Sequence, residues 1–134
     1  DLDEYQATLK IARELNMPKS ILYLLAHRNS PNLPQVAKST NWPLKLAAYP
    51  DMRVAPDGVV SVNARFDDFI TRYQHKHHLL SDENLIEVSR RACLTLEHQL
   101  QAYTSLDLNQ ISDSTIDPYL KTLPDYHLTS EFAC

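Results

Sequence analysis

The sequence predicts an all-α fold, a compact bundle of five or six helices, and three observations carry that expectation. First, the 134 residues include a single glycine, Gly58. β-rich folds use glycine in hairpins, turns and bulges, so its scarcity argues for helices. Second, apolar residues recur at three-four spacing near the start of the chain and at sevenfold spacing in its second half. Third, a chain with 43% hydrophobic and 22% charged residues is globular in composition, and its length suits one domain.

Leu2, Tyr5, Leu9 and Ala12, joined by Ile11 and Leu15, predict a first helix over 3–16. Asp3 is its candidate N-cap, with Gln6 three residues on. Asn16-Met17-Pro18 ends it, because a residue before proline is pushed out of helical geometry. A second helix starts at Pro18, where a missing N–H costs nothing, and runs to about Arg28. Residues 29–34 connect to a short helix from Pro34 to about Thr40. Residues 42–62 hold three prolines and a PDG turn at 56–58; they read as an irregular connector, with Val59–Val62 as a buried extended segment lacking a partner strand.

Two long antiparallel helices are expected next, at about 64–80 and 82–103. Asn63 and Ser81 are their candidate N-caps. On the second, Ile86, Cys93 and Leu100 form one row and Ser89, Leu96 and Tyr103 the next, a spacing suited to a long helical neighbour. The tail from 104 is rich in Ser, Asp, Thr and Pro, with one turn of helix at Pro118–Leu123. Its apolar residues Leu106, Leu108, Ile111, Ile116, Tyr119, Leu120 and Leu123 are expected to pack onto the body. The stretches IARELNMP (11–18) and VAKSTNWP (36–43) share a pattern. Two copies are too few for a solenoid, and reuse of one helix-stop device accounts for them.

The net charge of −4 gives no overall drive towards phosphate or anionic lipid. The distribution is uneven. Residues 8–53 carry seven bases against two acids, and residues 59–134 carry eleven acids against six bases. No apolar run approaches the roughly 18 residues of a membrane span, so no membrane insertion is expected. A cytoplasmic location is the expectation, although a chain beginning at Asp1 is also compatible with a removed leader.

Residues 8–28, TLKIARELNMPKSILYLLAHR, resemble the helix-turn-helix motif. Ile11 and Ala12 supply the aliphatic-small pair inside the first helix. Leu15, Asn16 and Met17 supply the apolar–turn–apolar triplet, and asparagine is the commonest stand-in for glycine at left-handed φ. Leu22 and Leu25 stand where the second helix packs back. The resemblance implies DNA contact through Lys19, Ser20, Tyr23, His27 and Arg28. Leu24 lies on the face where such contact is expected, which suits a plain helical hairpin better.

The histidine cluster at 75–78 is the second candidate. His75 and His78 share a helical face, while His77 points elsewhere. A metal site needs three or four convergent ligands, and only two are assured. The competing account is electrostatic: cations favour a helix C-terminus, and Asp82 and Glu83 favour the N-terminus that follows. Glu97-His98 and Asp67-Asp68 are splayed pairs and form no dyad. No nucleophile elbow or glycine-rich phosphate loop is present. Cys93 reads as an inert buried thiol, and a Cys93–Cys134 bridge is an alternative in an oxidising compartment.

The chain is therefore expected to be a non-catalytic binding module without a cofactor, with DNA as the leading partner and homo- or hetero-oligomerisation through its second half. A helical protein-protein adaptor or assembly subunit is the alternative. A metal or small-ligand sensor using His75 and His78 is the third reading.

Overall fold

A single left-handed residue sets the first turn of the chain. In the computed structural model, which describes residues 4–73 and 82–125, α1 spans Glu4–Glu14 and α2 spans Lys19–His27. Between them Asn16 has φ 53, a conformation that asparagine tolerates better than most residues. The Met17 N–H donates to the Ala12 carbonyl at 3.0 Å and the Asn16 N–H to that of Arg13 at 3.0 Å. Pro18 then caps α2 with extended backbone. Ala12 is buried in the hairpin, where a small side chain lets the helices approach. The Tyr5 hydroxyl donates to the Ala26 carbonyl and ties the far ends together.

A 3-10 turn at Ser30–Asn32 leads into α3, Leu33–Lys38. The segment expected to be irregular from 42 onwards contains α4, Trp42–Asp51. The prolines misled because of where they fall. Pro43 lies in the first turn, where its missing N–H leaves nothing unmade, and Pro50 lies near the end. Asn41 caps the helix by accepting the Leu44 N–H at 3.0 Å. The two similar stretches therefore do opposite work. Asn16 stops a helix, whereas Asn41 starts one.

The partnerless segment also needs correcting. Val54–Ala55 (β1) and Gly58–Val59 (β2) pair antiparallel, with Val54 opposite Val59, and Val62 already begins a helix. That helix, α5, spans Val62–Tyr73. Its cap is Ser61, whose hydroxyl accepts the Ala64 N–H, and not Asn63. The longest element among the described residues is α6, Glu83–Gln101, capped by Asp82 through the N–H groups of Asn84 and Leu85. After a 3-10 turn at Leu108–Gln110, α7 spans Asp113–Thr122 and closes with another 3-10 turn at Leu123–Asp125. The described residues thus form seven α-helices and one two-stranded ribbon.

The core lies around α6. Ile86, Cys93, Leu96 and Leu100 are buried on it, and α3 and α5 pack against it through Leu33, Val36 and Phe66. The expected apolar rows of α6 are therefore its buried rows up to Leu100. Tyr103 lies past the helix end, exposed, with its ring edge-on to Trp42 at 4.7 Å.

A buried ionic knot joins this core to the ribbon and tail. Arg53, only 4% exposed, donates to Glu97 Oε2 at 2.9 Å, to the Tyr49 hydroxyl and to three backbone carbonyls. Those carbonyls are Val60 at 2.6 Å, Leu108 at 2.7 Å and Ile111 at 2.9 Å. The Tyr49 hydroxyl donates in turn to Glu97 Oε2 at 2.6 Å. Burial, followed by the bond to Glu97, pushes the Tyr49 hydroxyl above its ordinary pKa. Each nitrogen of the guanidinium thus has an acceptor, and the buried carboxylate has two donors.

Candidate binding surface

The five residues proposed to read DNA sit on α2 and just past its end, and they differ in their freedom. Lys19 and Ser20 are exposed in the first turn. Tyr23 is 46% exposed, and its ring stacks on that of His27 at 4.2 Å. His27 Nδ1 lies 2.8 Å from the Tyr23 carbonyl. Arg28 is held in an ion pair with Asp51 of α4 at 2.5 Å. Leu24 is partly buried and packs against the core. Residues Lys19, Ser20, Tyr23 and His27 therefore form one accessible side of α2, while Arg28 serves to fasten the hairpin to α4.

The basic front is weaker at the surface than in the sequence. Arg53 lies in the buried knot. Lys45 is 5% exposed, and its ammonium donates to Gln99 Oε1 at 2.7 Å and to the Ala37 carbonyl at 3.3 Å. Lys10 lies 3.9 Å from Glu14. Arg13 and Lys19 have no acidic partner among the described residues.

The turn of the hairpin shows a second property. Ile11, Leu15, Met17 and Ile21 all flank it and all are exposed, Leu15 by 65%. Ile11 on α1 and Leu15 just past its end are four residues apart and share a face, which adjoins that of the buried pair Leu9 and Ala12. The helix-turn-helix resemblance counted Leu15 and Met17 only as the apolar residues on either side of the turn. They present apolar surface beside cations.

A comparable surface lies on α7, which the sequence suggested only as a single helical turn. Of the tail's apolar residues, Leu108 is buried and Ile111 packs on the core. Ile116 is half-buried, whereas Tyr119, Leu120 and Leu123 are exposed, the last by 62%. Positions 116, 119, 120 and 123 follow the i, i+3, i+4, i+7 pattern of one helical stripe. Between this stripe and the preceding loop runs an open cleft of about 200 Å³, lined by Leu106, Gln110, Ile111, Ile116 and Tyr119 among others. The stripe was legible as spacing, but the exposure of Tyr119, Leu120 and Leu123 was not.

The α7 surface is anchored at its first residue. Asp113 Oδ1 accepts the Val59 N–H at 2.9 Å. Gly58, with φ +126, lies against the same carboxylate, leaving no room for a Cβ. The helix start is closed by a capping box between Ser112 and Thr115.

Cys93 offers no reactive thiol. Burial, reinforced by the nearby Glu97 carboxylate, pushes it up to about 12. His75 and His78 lie outside the described residues, as does Cys134. Among the described residues no three His, Cys, Asp or Glu side chains gather as metal ligands, and no helix is long and apolar enough to cross a membrane.

Comparison with protein-family models, with curated proteins and with solved structures finds no match for this chain.

Proposed function

We propose that the chain is a non-catalytic binding module, that its working surface is the α1–α2 hairpin, and that its macromolecular partner is protein. The observation that carries this reading is the exposure of Ile11, Leu15, Met17 and Ile21 around one turn. Contiguous apolar side chains rimmed by charge suit the centre and edge of a protein interface. They gain little from a phosphate backbone, which rewards cations and hydrogen-bond donors.

DNA is the second reading. It is favoured by the left-handed Asn16 turn and by the accessible side formed by Lys19, Ser20, Tyr23 and His27.

A photoreactive side chain at Met17 of the full chain, with one at exposed Arg91 as control, separates the two. The protein reading expects discrete protein adducts from position 17 alone, abolished by Leu15→Asp. It is overturned if position 17 gives none; salt-dependent binding of duplex DNA that Lys19→Glu weakens would then support the second reading.

A further inference from the structure

We propose that the partner of the hairpin is a second copy of this chain, and that the hairpin tip of one copy docks head-to-tail on the α7 stripe and cleft of the next. This rests on the reading of the hairpin as a protein-binding surface.

Two features make the surfaces complementary. Both are apolar at the centre. The tip offers Leu15 and Met17 as projecting anchors, with Ile11 and Ile21 beside them. The tail offers a concave receptor, the cleft bounded by Leu106, Ile111, Ile116 and Tyr119, extended by Leu120 and Leu123. Methionine is unbranched and adapts to an irregular cleft.

Their charges are also opposite. Residues 8–28 carry four bases and one acid, and residues 104–125 carry four acids and one base. On the tip, Arg13 and Lys19 lack acidic partners among the described residues. On the tail, Asp117 is paired with Lys121 at 2.7 Å. Asp107, Asp113 and Asp125 are exposed and have no cationic partner among the described residues. Each rim thus carries the charge that the other lacks, and opposite rims steer association and fix orientation. Two tips, or two tails, would set like charges against each other, so a symmetric dimer through either surface is disfavoured.

A head-to-tail contact leaves one tip and one tail free at the ends of every pair. It therefore propagates, giving rings if the rotation closes and open filaments if it does not.

The test uses the full chain and two variants that alter only exposed side chains, Leu15→Asp at the tip and Leu120→Asp at the tail. Sedimentation velocity of the unmodified chain is expected to show species that grow with concentration and shrink with added salt. Each variant alone is expected to stay monomeric, with unchanged helical circular dichroism. Mixed in equal amounts they should form heterodimers and nothing larger, because one intact tip meets one intact tail.

Charge variants provide a second route that leaves the apolar contacts in place. Lys19→Glu and Asp125→Lys should each weaken association about tenfold, and a mixture of those two variants should recover part of the loss.

A chain that remains monomeric to about one millimolar overturns the proposal, as does an oligomer that survives either aspartate substitution. A mixture of the two aspartate variants that stays monomeric also overturns it. If position 17 photocrosslinks only to a different protein, the hairpin remains a protein-binding surface and the self-association alone falls.

Discussion

Helices α6 and α7 are built from the same kind of sequence and end in opposite situations. Both begin at a side-chain cap, and both carry an apolar row at helical spacing. On α6 that row is the centre of the core. On α7 no residue is buried. The difference comes from what each helix meets. Two helices, α3 and α5, cover the apolar side of α6. α7 is held at its first turn, by Asp113 on the ribbon, and its stripe extends beyond that anchor. Amphipathic spacing shows that a face needs a partner. It does not show whether the partner belongs to the same chain.

The largest effect expected from this contrast lies at Arg53. Arg53→Met removes every bond of the buried guanidinium and leaves the Glu97 carboxylate in the interior with Tyr49 as its remaining donor. Chemical denaturation should show a loss of about 3–5 kcal/mol, the usual cost of orphaning one half of a buried ion pair. The double variant Arg53→Met/Glu97→Leu should recover much of that loss, since it removes the stranded charge as well. No recovery would mean that the bonds to Val60, Leu108 and Ile111 matter more than the charge pair.

The most direct comparison makes one substitution in both helices. Leu96→Ala in α6 empties a fully buried position and should cost about 2–5 kcal/mol. Leu120→Ala in α7 should change monomer stability by no more than about 0.5 kcal/mol, as for an exposed site. If the two losses came out equal, the α7 stripe would be covered within the monomer, and the contrast between the helices would disappear.

Gly58→Ala should act on α7 without reaching α6. An added Cβ meets the Asp113 carboxylate, and φ +126 is a conformation that alanine rarely adopts. The expected cost is about 1–3 kcal/mol. Its diagnostic sign is local: amide hydrogen exchange should accelerate in α7 while the core amides of α6 keep their protection. Uniform acceleration would show that α7 is part of the cooperative core after all.

Much of the helical core was readable because spacing and burial agree there. Ile86, Cys93, Leu96 and Leu100 can only share a face on a helix, and that face is buried. Asn16 was readable because few residues accept left-handed φ. The missed elements failed for stated physical reasons. Pro43 and Pro50 look like breakers, yet Pro43 sits in the first turn, where a proline costs little, and Pro50 comes one residue before the helix ends. Arg53 and Lys45 counted as surface charge, because sequence alone cannot show that Glu97 and Gln99, more than forty residues away, would meet them. The candidate surface was half legible. The hairpin could be named from Ala12 and Asn16, but not that Leu15 and Met17 would be exposed beside it. His75 and His78 lie outside the described residues.

The smallest effect at neutral pH, and the last test of how closed the α6 row is, concerns Cys93. Its ordinary pKa is 9.0, and burial raises it to about 12 in the folded protein. As pH rises through this window the unfolded chain releases the thiol proton first. The folded state then binds more protons than the unfolded one, so stability must fall as pH increases. Below the ordinary value both states keep the proton and the effect vanishes. Measured as the slope of unfolding free energy against pH between 9 and 12, the decline should be shallower in Cys93→Ala than in the unmodified chain. Every other titratable group is common to both proteins, so its contribution cancels in that comparison. Equal slopes would mean that the thiol ionises as readily in the folded state as in the unfolded one. The centre of α6 would then admit water, and its contrast with α7 would be one of degree.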